Sequence, residues 1–206
     1  DEVIIPDPSY VSYMPNVRLV HGVPVALPTF AEHNFRITPE QLQKAITPKT
    51  KALILPYPNN PTGAVMLKEN LEAIAPIIKE ADIMVISDEI YSELTYSGEH
   101  SSIASIDGMK ERTIVINGFS KSFAMTGWRI GFVCTTPSIM NAVYKIHQYT
   151  IMCASTMSQA AACEAMRYNI DNNYEDIAKM RASYDMRRRY IFTAFNKMGL
   201  KCFEPM

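Results

Sequence analysis

Short β-rich runs that alternate with helical patterns constrain the fold of this chain more than any other feature. The runs are mostly apolar, and the stretches between several of them are long enough to hold a helix. They lie at residues 2–6, 23–27, 51–57, 83–87, 113–118 and 130–135. Strands that alternate with helices are typical of α/β domains, in which helical crossovers join parallel strands. We therefore predict an α/β fold with a mostly parallel sheet and flanking helices.

Two of the intervening segments carry clear helix signals. Residues 38–41 read Thr-Pro-Glu-Gln, which is a capping box with proline at the first helical position. In residues 67–80 the apolar positions recur at helical spacing, so this segment is predicted to be an amphipathic helix. Pro76 lies inside it and is expected to kink or shorten the helix, because proline cannot donate a backbone hydrogen bond.

The second half of the chain is predicted to be largely helical. Thr136-Pro137 is expected to open one helix, and the alanine-rich residues 154–168 form another, which we expect to be buried. A long helix is predicted to run from about residue 172. Its Arg187-Arg188-Arg189 run is interpreted as a solvated helix face rather than a binding patch.

Composition excludes several classes of function. The 206 residues are 48% hydrophobic and carry a net charge of -1, which gives no reason to expect nucleic acid or a membrane surface as partner. No apolar run approaches the roughly 20 residues of a membrane span. The four cysteines lack the spacing of metal ligands, so we predict no metal site and free thiols in a reducing cytoplasm.

The two ends of the chain suggest a fragment of a longer protein. The sequence begins with Asp1 rather than methionine, and an extended apolar stretch follows immediately. Residues 199–206 stop where a further strand is predicted to begin. We therefore expect sequence on both sides of these 206 residues.

Polar side chains follow three of the predicted strands at the point where each strand ends. The three segments are residues 57–63, 87–91 and 118–131. Taken singly, each has an ordinary explanation: a turn in the first, a helix cap at Asp88, and a solvated lysine at Lys121. Ligands of open α/β sheets bind at the carboxyl ends of the strands, so the three segments together predict one site.

The third segment has a small residue before Lys121 and ends in Gly-Trp-Arg-Ile-Gly at residues 127–131. Together with the other two segments, it resembles the class I aminotransferases, the aspartate-aminotransferase-like branch of the fold-type I enzymes that use pyridoxal 5'-phosphate (PLP). The resemblance extends over essentially the whole chain. It implies an incomplete PLP-binding large domain in residues 1–171, an interdomain helix and the start of a small domain in residues 172–206, and an antiparallel last strand.

The resemblance assigns a role to each main candidate residue. Lys121 would form the Schiff base with PLP and shuttle a proton at the substrate. Asp88 would pair with the pyridine nitrogen and hold it protonated. Asn60 and Tyr91 would hydrogen-bond the phenolic oxygen of the cofactor. Arg129 would bind the phosphate through its planar fork of N–H donors.

Weaker assignments concern the edges of the predicted site. Ser120 would add a hydroxyl to the phosphate, although related enzymes often carry a serine at the position of Gly118. Tyr10 matches the aromatic residue that stacks on the cofactor ring, and this role rests on the resemblance alone. Glu89 lies near the site in sequence and His100 has no metal-ligand spacing, and neither is assigned a role.

The resemblance implies transfer of an amino group between an L-amino acid and a 2-oxo acid, in a cytoplasmic homodimer of the full-length protein. The segments that complete the substrate site lie outside these 206 residues, so we expect the isolated chain to be poorly active. A β-lyase or an aminocyclopropane-carboxylate synthase-like enzyme uses the same core, although lyase relatives often place histidine where Tyr91 stands. A non-catalytic PLP-binding module of a regulator is a third alternative.

Overall fold

The computed structural model describes residues 1–206, and all six predicted strands are present in one sheet. They are β1 (Glu2–Asp7), β2 (Val23–Pro28), β3 (Thr50–Leu55), β4 (Met84–Asp88), β5 (Thr113–Gly118) and β6 (Gly131–Cys134). The spatial order is β2-β1-β3-β4-β5-β6, with every pair parallel except β5 and β6. The predicted fold class and the antiparallel last strand are therefore confirmed.

One strand ends earlier than predicted. β3 stops at Leu55 rather than at residue 57. Pro56 and Pro58 lack the N–H group that a central strand needs to donate to its neighbour. The chain therefore leaves the sheet at Leu55 and enters the polar segment that follows.

Seven helices flank the sheet. They are α1 (Tyr13–Leu19), α2 (Pro39–Ala45), α3 (Lys68–Glu80), α4 (Phe119–Ser122), α5 (Pro137–Thr150), α6 (Thr156–Asp171) and α7 (Glu175–Lys197). The capping box of α2 is confirmed, because Thr38 and Gln41 each accept a hydrogen bond from the other's backbone N–H. None of these helices is both long enough and apolar enough to cross a membrane.

Pro76 does not shorten α3, which continues to Glu80. The proline is exposed, so the backbone hydrogen bond that it cannot donate is lost on the solvent side of the helix. The opposite face is held by four buried residues, Leu71, Ile74, Ala75 and Ile78. Packing of that face outweighs the local effect of the proline.

Two expectations about the second half of the chain are wrong. Helix α6 is mostly exposed, because only one stripe of it packs against the chain: Ala162 lies in a small cluster with Phe119 and Met125. The Arg187–Arg189 run is not uniformly solvated either, since the side chain of Arg188 is only 8% exposed. Helix α7 begins at Glu175, and the division into residues 1–171 and 172–206 stays a prediction.

The main core lies between the sheet and the helices α2 and α3. Its 17 buried residues include Ile4, Leu53 and Val85 from the strands, and Leu42 and Ile74 from the helices. This packing fixes the strand register, in which Leu55 lies beside Ser87 and Asp88 beside Ile116. The carboxyl ends of β3, β4 and β5 therefore meet at one edge of the sheet.

Candidate functional site

A cavity of about 300 Å³ lies at the carboxyl ends of β3, β4 and β5. This volume is at the small end of the usual range for small-molecule sites. All seven residues predicted to form the site line this cavity: Tyr10, Asn60, Asp88, Tyr91, Ser120, Lys121 and Arg129. The structure thus brings them together, while their individual roles stay predictions.

Asp88, the last residue of β4, is held in place by two hydrogen bonds. Its Oδ2 accepts from the Tyr13 hydroxyl at 2.9 Å, and its Oδ1 accepts from the backbone N–H of Ile90 at 3.2 Å. Each carboxylate oxygen can accept a second hydrogen bond. The carboxylate is therefore fixed in orientation and still able to bind a donor in the cavity.

Tyr13 is a site residue that the sequence analysis missed. It lies three residues after Tyr10, and the two rings pack edge to face with their centroids 5.8 Å apart. Burial, reinforced by the neighbouring Asp88 carboxylate, raises the pKa of Tyr13 above its ordinary range. The phenol therefore stays neutral and remains a hydrogen-bond donor to Asp88. The only sequence signal for Tyr13 was its position three residues after Tyr10, at the start of a short helix.

Lys121 lies in α4, the short helix that begins directly after β5. Its Nζ is 5.4 Å from the centroid of the Tyr91 ring. Tyr91 itself follows β4 by three residues, so two neighbouring strand ends place the amine and the phenol on one side of the cavity. A protonated lysine over an aromatic face gains electrostatic stabilisation.

Arg129 is presented by a turn that packs on α4. Its Nη1 donates to the Thr126 carbonyl at 2.9 Å, and the Thr126 hydroxyl donates to the Ser120 carbonyl at 2.9 Å. Nε and Nη2 of Arg129 donate no hydrogen bond within the chain. This leaves most of the guanidinium fork available for an anion in the cavity.

Gly118 and Gly131 allow β5 and β6 to approach closely where β5 ends and α4 begins. A Cβ atom at Gly118 would lie 2.9 Å from the Cα of Gly131 and 3.1 Å from the carbonyl oxygen of Ile130. These are backbone atoms, so a serine at position 118 would require the strands to move apart. The hydroxyl groups on this side of the cavity therefore come from Ser120 and Thr126, of which only Ser120 was predicted.

Asn60 is presented by the tight turn Asn59–Gly63 that follows β3. Asn59 closes this turn: its backbone N–H donates to Ala64, its carbonyl accepts from Gly63, and its Oδ1 accepts from Thr62. The side chain of Asn60 makes no hydrogen bond within the chain and borders the cavity. One asparagine therefore builds the turn and the next is available to a ligand.

Glu89, next to Asp88, is buried with 5% exposure. It accepts hydrogen bonds from the Ser87 and Ser102 hydroxyls at 2.9 and 2.6 Å, and His100 Nε2 lies 2.9 Å from its Oε2. Burial by itself would raise the pKa of Glu89, but the hydrogen bonds from His100 and Ser102 outweigh burial and lower it. This cluster explains why Glu89 and His100 stand near the site without lining the cavity.

Metal-ligating side chains do not cluster at the cavity. The structure contains no group of three or more histidine, cysteine, aspartate or glutamate side chains that could hold a metal ion. The cavity offers amine, carboxylate, guanidinium, amide and hydroxyl groups, which are suited to binding an organic cofactor.

Comparison with known proteins supports this interpretation. The model of the family "Aminotransferase class I and II" matches residues 1–206. The whole chain aligns with the aromatic-amino-acid aminotransferase 2 of Thermococcus litoralis at 45% identity and with the aspartate aminotransferase of Pyrococcus abyssi at 47% identity. It covers 52% of each of these relatives, so the chain spans about half of their length.

Solved structures give the same result. The aromatic aminotransferase from Pyrococcus horikoshii superposes on the whole chain with a TM-score of 0.95 at 46% identity, over 54% of its own length. The aspartate aminotransferase of Thermus thermophilus, crystallised with maleate, superposes with a TM-score of 0.94 at 40% identity, over 53% of its length.

Proposed function

Because this chain belongs to the family of class I and class II aminotransferases, we propose that the protein transfers an amino group between an L-amino acid and a 2-oxo acid with PLP as its cofactor. The observation that carries the proposal is the convergence of Lys121, Asp88 and Arg129 on one cavity. The relatives named above are aspartate and aromatic amino-acid aminotransferases, which supports the same reaction class.

The side chains of the cavity fit the functional groups of PLP. Arg129 offers two unused guanidinium nitrogens to a phosphate, and Ser120 and Thr126 offer hydroxyls on the same side. Asp88 offers a fixed carboxylate to a protonated pyridine nitrogen. Asn60 and Tyr91 offer an amide and a phenol to the phenolic oxygen.

When bound, PLP supplies an electron sink that stabilises negative charge at the α-carbon of an amino acid. Asp88 would hold a proton at the ring nitrogen, because a nearby carboxylate favours the charged form of a base. Tyr13 and the Ile90 amide keep that carboxylate aimed into the cavity. The chain thereby maintains the positive charge that makes the ring a good acceptor.

Lys121 is the amine that would hold the cofactor covalently at its aldehyde group, and it would carry a proton to and from the substrate's α-carbon. Its position beside Tyr91 places the amine next to the phenol that would bind the phenolic oxygen. Tyr10, which is 48% exposed at the edge of the cavity, would cover one face of the ring.

The same proposal includes a homodimer of the full-length protein and a cytoplasmic location.

Titration with PLP tests the proposal directly. We expect a visible absorbance band that borohydride converts into a stable adduct, and peptide mapping should place that adduct on Lys121. The band and the adduct should be lost in Lys121→Ala. The exposed lysine of α5 provides a matched control, and Lys145→Ala should behave like the wild type.

The alternatives predict other outcomes. If neither this chain nor the full-length protein binds PLP, the aminotransferase proposal is rejected. If the full-length protein binds PLP on Lys121 but releases its substrate's side chain instead of exchanging its amino group, the β-lyase alternative is correct. Binding of PLP on Lys121 without turnover of any amino acid would favour the regulatory module.

A further inference from the structure

Arg188 on α7 differs from the arginines on either side of it. Its side chain is 8% exposed, whereas that of Arg189 is 69% exposed. Its Nε and Nη2 lie 2.8 and 2.7 Å from Oδ1 of Asp185. Asp185 therefore fixes the orientation of a guanidinium group that is buried against other parts of the chain.

The guanidinium group of Arg188 contacts two segments that are far apart in sequence. Its Cζ lies 5.4 Å from the centroid of the Tyr96 ring. Its Nη1 donates to the carbonyl of Pro205 and lies 3.2 Å from Oε1 of Glu204. A planar fork with five N–H donors can stack and donate in this way at the same time, and a lysine cannot.

The first contact leads to Tyr91. Tyr96 ends a compact segment that begins at Tyr91, in which the Leu94 N–H donates to the Tyr91 carbonyl at 2.9 Å. The Thr95 hydroxyl also donates to the Ser92 carbonyl at 3.0 Å. Because these bonds order the residues between Tyr91 and Tyr96, we infer that fixing the ring of Tyr96 also restricts the position of Tyr91.

The second contact leads to Asn60. The N–H of Met206 donates to the carbonyl of Gly63 at 3.0 Å, so the segment held by Arg188 lies directly on the Asn59–Gly63 turn. A Cβ at Gly63 would lie 2.5 Å from the Cβ of Pro205, and Gly63 has a φ of +70°. Only glycine meets both conditions without strain. Arg188 is thus connected to the turn that presents Asn60.

We propose that Arg188 is a positioning residue that fixes the Asn59–Gly63 turn and the Tyr91–Tyr96 segment relative to each other. Asn60 and Tyr91 are the two residues assigned to one oxygen of PLP, and they come from different strand ends. Arg188 would set the geometry of both hydrogen bonds from a distance. The effect on the cofactor rests on the proposed function, whereas the coupling of the two segments does not.

Hydrogen exchange without cofactor tests the coupling. In Arg188→Lys, the amides of Gly63 and Leu94 should both exchange at least about tenfold faster, because both segments open more often. Arg189→Met is a matched control, since Arg189 also binds Asp185, at 2.8 Å, but contacts neither segment. It should change both rates by less than about twofold.

Tyr96→Leu separates the two contacts and serves if Arg188→Lys does not fold. It should speed exchange at Leu94 and leave Gly63 unchanged. Faster exchange confined to α7, or equal effects of Arg188→Lys and Arg189→Met, would overturn the coupling. An unchanged exchange rate at the Leu94 amide in Tyr96→Leu would also overturn the coupling.

PLP binding to the same variants tests the positioning. In Arg188→Lys the Kd for PLP should rise by about tenfold, comparable to the effect of losing residues that orient metal ligands. The pH midpoint of the absorbance band should move upward, because fewer donors on the phenolic oxygen leave more negative charge to retain a proton on the Lys121 nitrogen. Arg189→Met should match the wild type.

The two proposals fail in distinguishable ways. If neither the unmutated 206-residue chain nor the full-length protein binds PLP, the proposed function is rejected. Hydrogen exchange alone then decides whether Arg188 couples the two segments. If the wild type binds PLP and the two arginine variants share its Kd and midpoint, the positioning role of Arg188 is rejected and the proposed function stands.

Discussion

Asp88 and Glu89 are adjacent carboxylates with opposite surroundings. Successive side chains at the end of a strand point to opposite faces of the sheet. Asp88 borders the cavity and accepts one hydrogen bond on each oxygen, from Tyr13 and from the Ile90 amide. Glu89 is buried behind it, where Ser87, Ser102 and His100 surround its carboxylate.

The difference separates a structural acid from the acid that we propose to act on the cofactor. The chain itself uses most of the hydrogen-bonding capacity of Glu89, so that carboxylate holds together the loop that carries Ser102 and His100. Asp88 is oriented by two donors and keeps accepting capacity that faces the cavity. Unused capacity on a rigidly held group therefore supports Asp88 as the proposed functional acid, whereas its position in the sequence does not distinguish it from Glu89.

The largest effect should come from Asp88→Asn in the full-length protein. The amide cannot hold a proton at the ring nitrogen, so transamination should fall by about 10²- to 10³-fold, as when a fixed electrostatic partner is removed. The free energy of unfolding should change by less than about 1 kcal/mol, since the Asn oxygen can accept from the Ile90 amide while its NH₂ donates to the Tyr13 hydroxyl. Steady-state kinetics and urea unfolding measure the two quantities.

Asp82→Asn is the matched control, because Asp82 is 89% exposed and pairs with Arg112 away from the cavity. Its activity should equal that of the wild type. The comparison fails if Asp88→Asn keeps its activity, or if its free energy of unfolding falls as much as that of Glu89→Gln.

Glu89→Gln should show the converse result, a larger loss of stability than of activity. It removes the negative charge that strengthens the hydrogen bonds to this buried group from Ser87, Ser102 and His100. We expect a loss of about 2 kcal/mol in the free energy of unfolding at neutral pH. Glu93→Gln, at an exposed position of the same loop, should cost less than about 0.5 kcal/mol in urea unfolding.

The pH dependence of stability sharpens this test. Hydrogen bonds from His100 and Ser102 lower the pKa of Glu89 in the folded state, despite the opposing effect of burial. Its contribution is therefore complete above the unfolded pKa of about 4.3 and is lost as pH falls through the folded value. Wild-type stability should decline below about pH 5 more steeply than that of Glu89→Gln. Parallel curves would show that Glu89 does not supply this stability.

The sequence predicted the sheet well because each strand is a local apolar run bounded by turn residues. The capping box at Thr38 and the proline opening at Thr136-Pro137 are equally local and were confirmed. Helix α1 was missed because it has only seven residues and contains Pro15. The burial of α6 was misjudged because alanine content does not indicate which stripe of a helix packs.

Long-range contacts account for the remaining differences. Three consecutive arginines on α7 point about 100° apart, so one of them faces the chain while its neighbours face solvent. Only the fold shows that this one is Arg188. The candidate residues were identified by their resemblance to a family, and the structure adds their common cavity. Tyr13 escaped notice because its partner Asp88 lies 75 residues away in the chain.

Tyr13→Phe should have the smallest effect and tests what holds Asp88 in place. It removes one neutral hydrogen bond to the carboxylate and keeps the ring, so PLP affinity should fall by about fivefold, equivalent to about 1 kcal/mol. Because burial and Asp88 raise the pKa of Tyr13, its phenol donates throughout the neutral range, and the loss should not vary between about pH 6 and pH 9. Tyr144→Phe, at an exposed position on α5, is the control for loss of a hydroxyl.

A loss of PLP affinity that varied strongly across this pH range would mean that Tyr13 titrates there. Unchanged PLP affinity would mean that the Ile90 amide alone orients Asp88, and the proposed functional acid would then depend on backbone geometry rather than on a distant side chain.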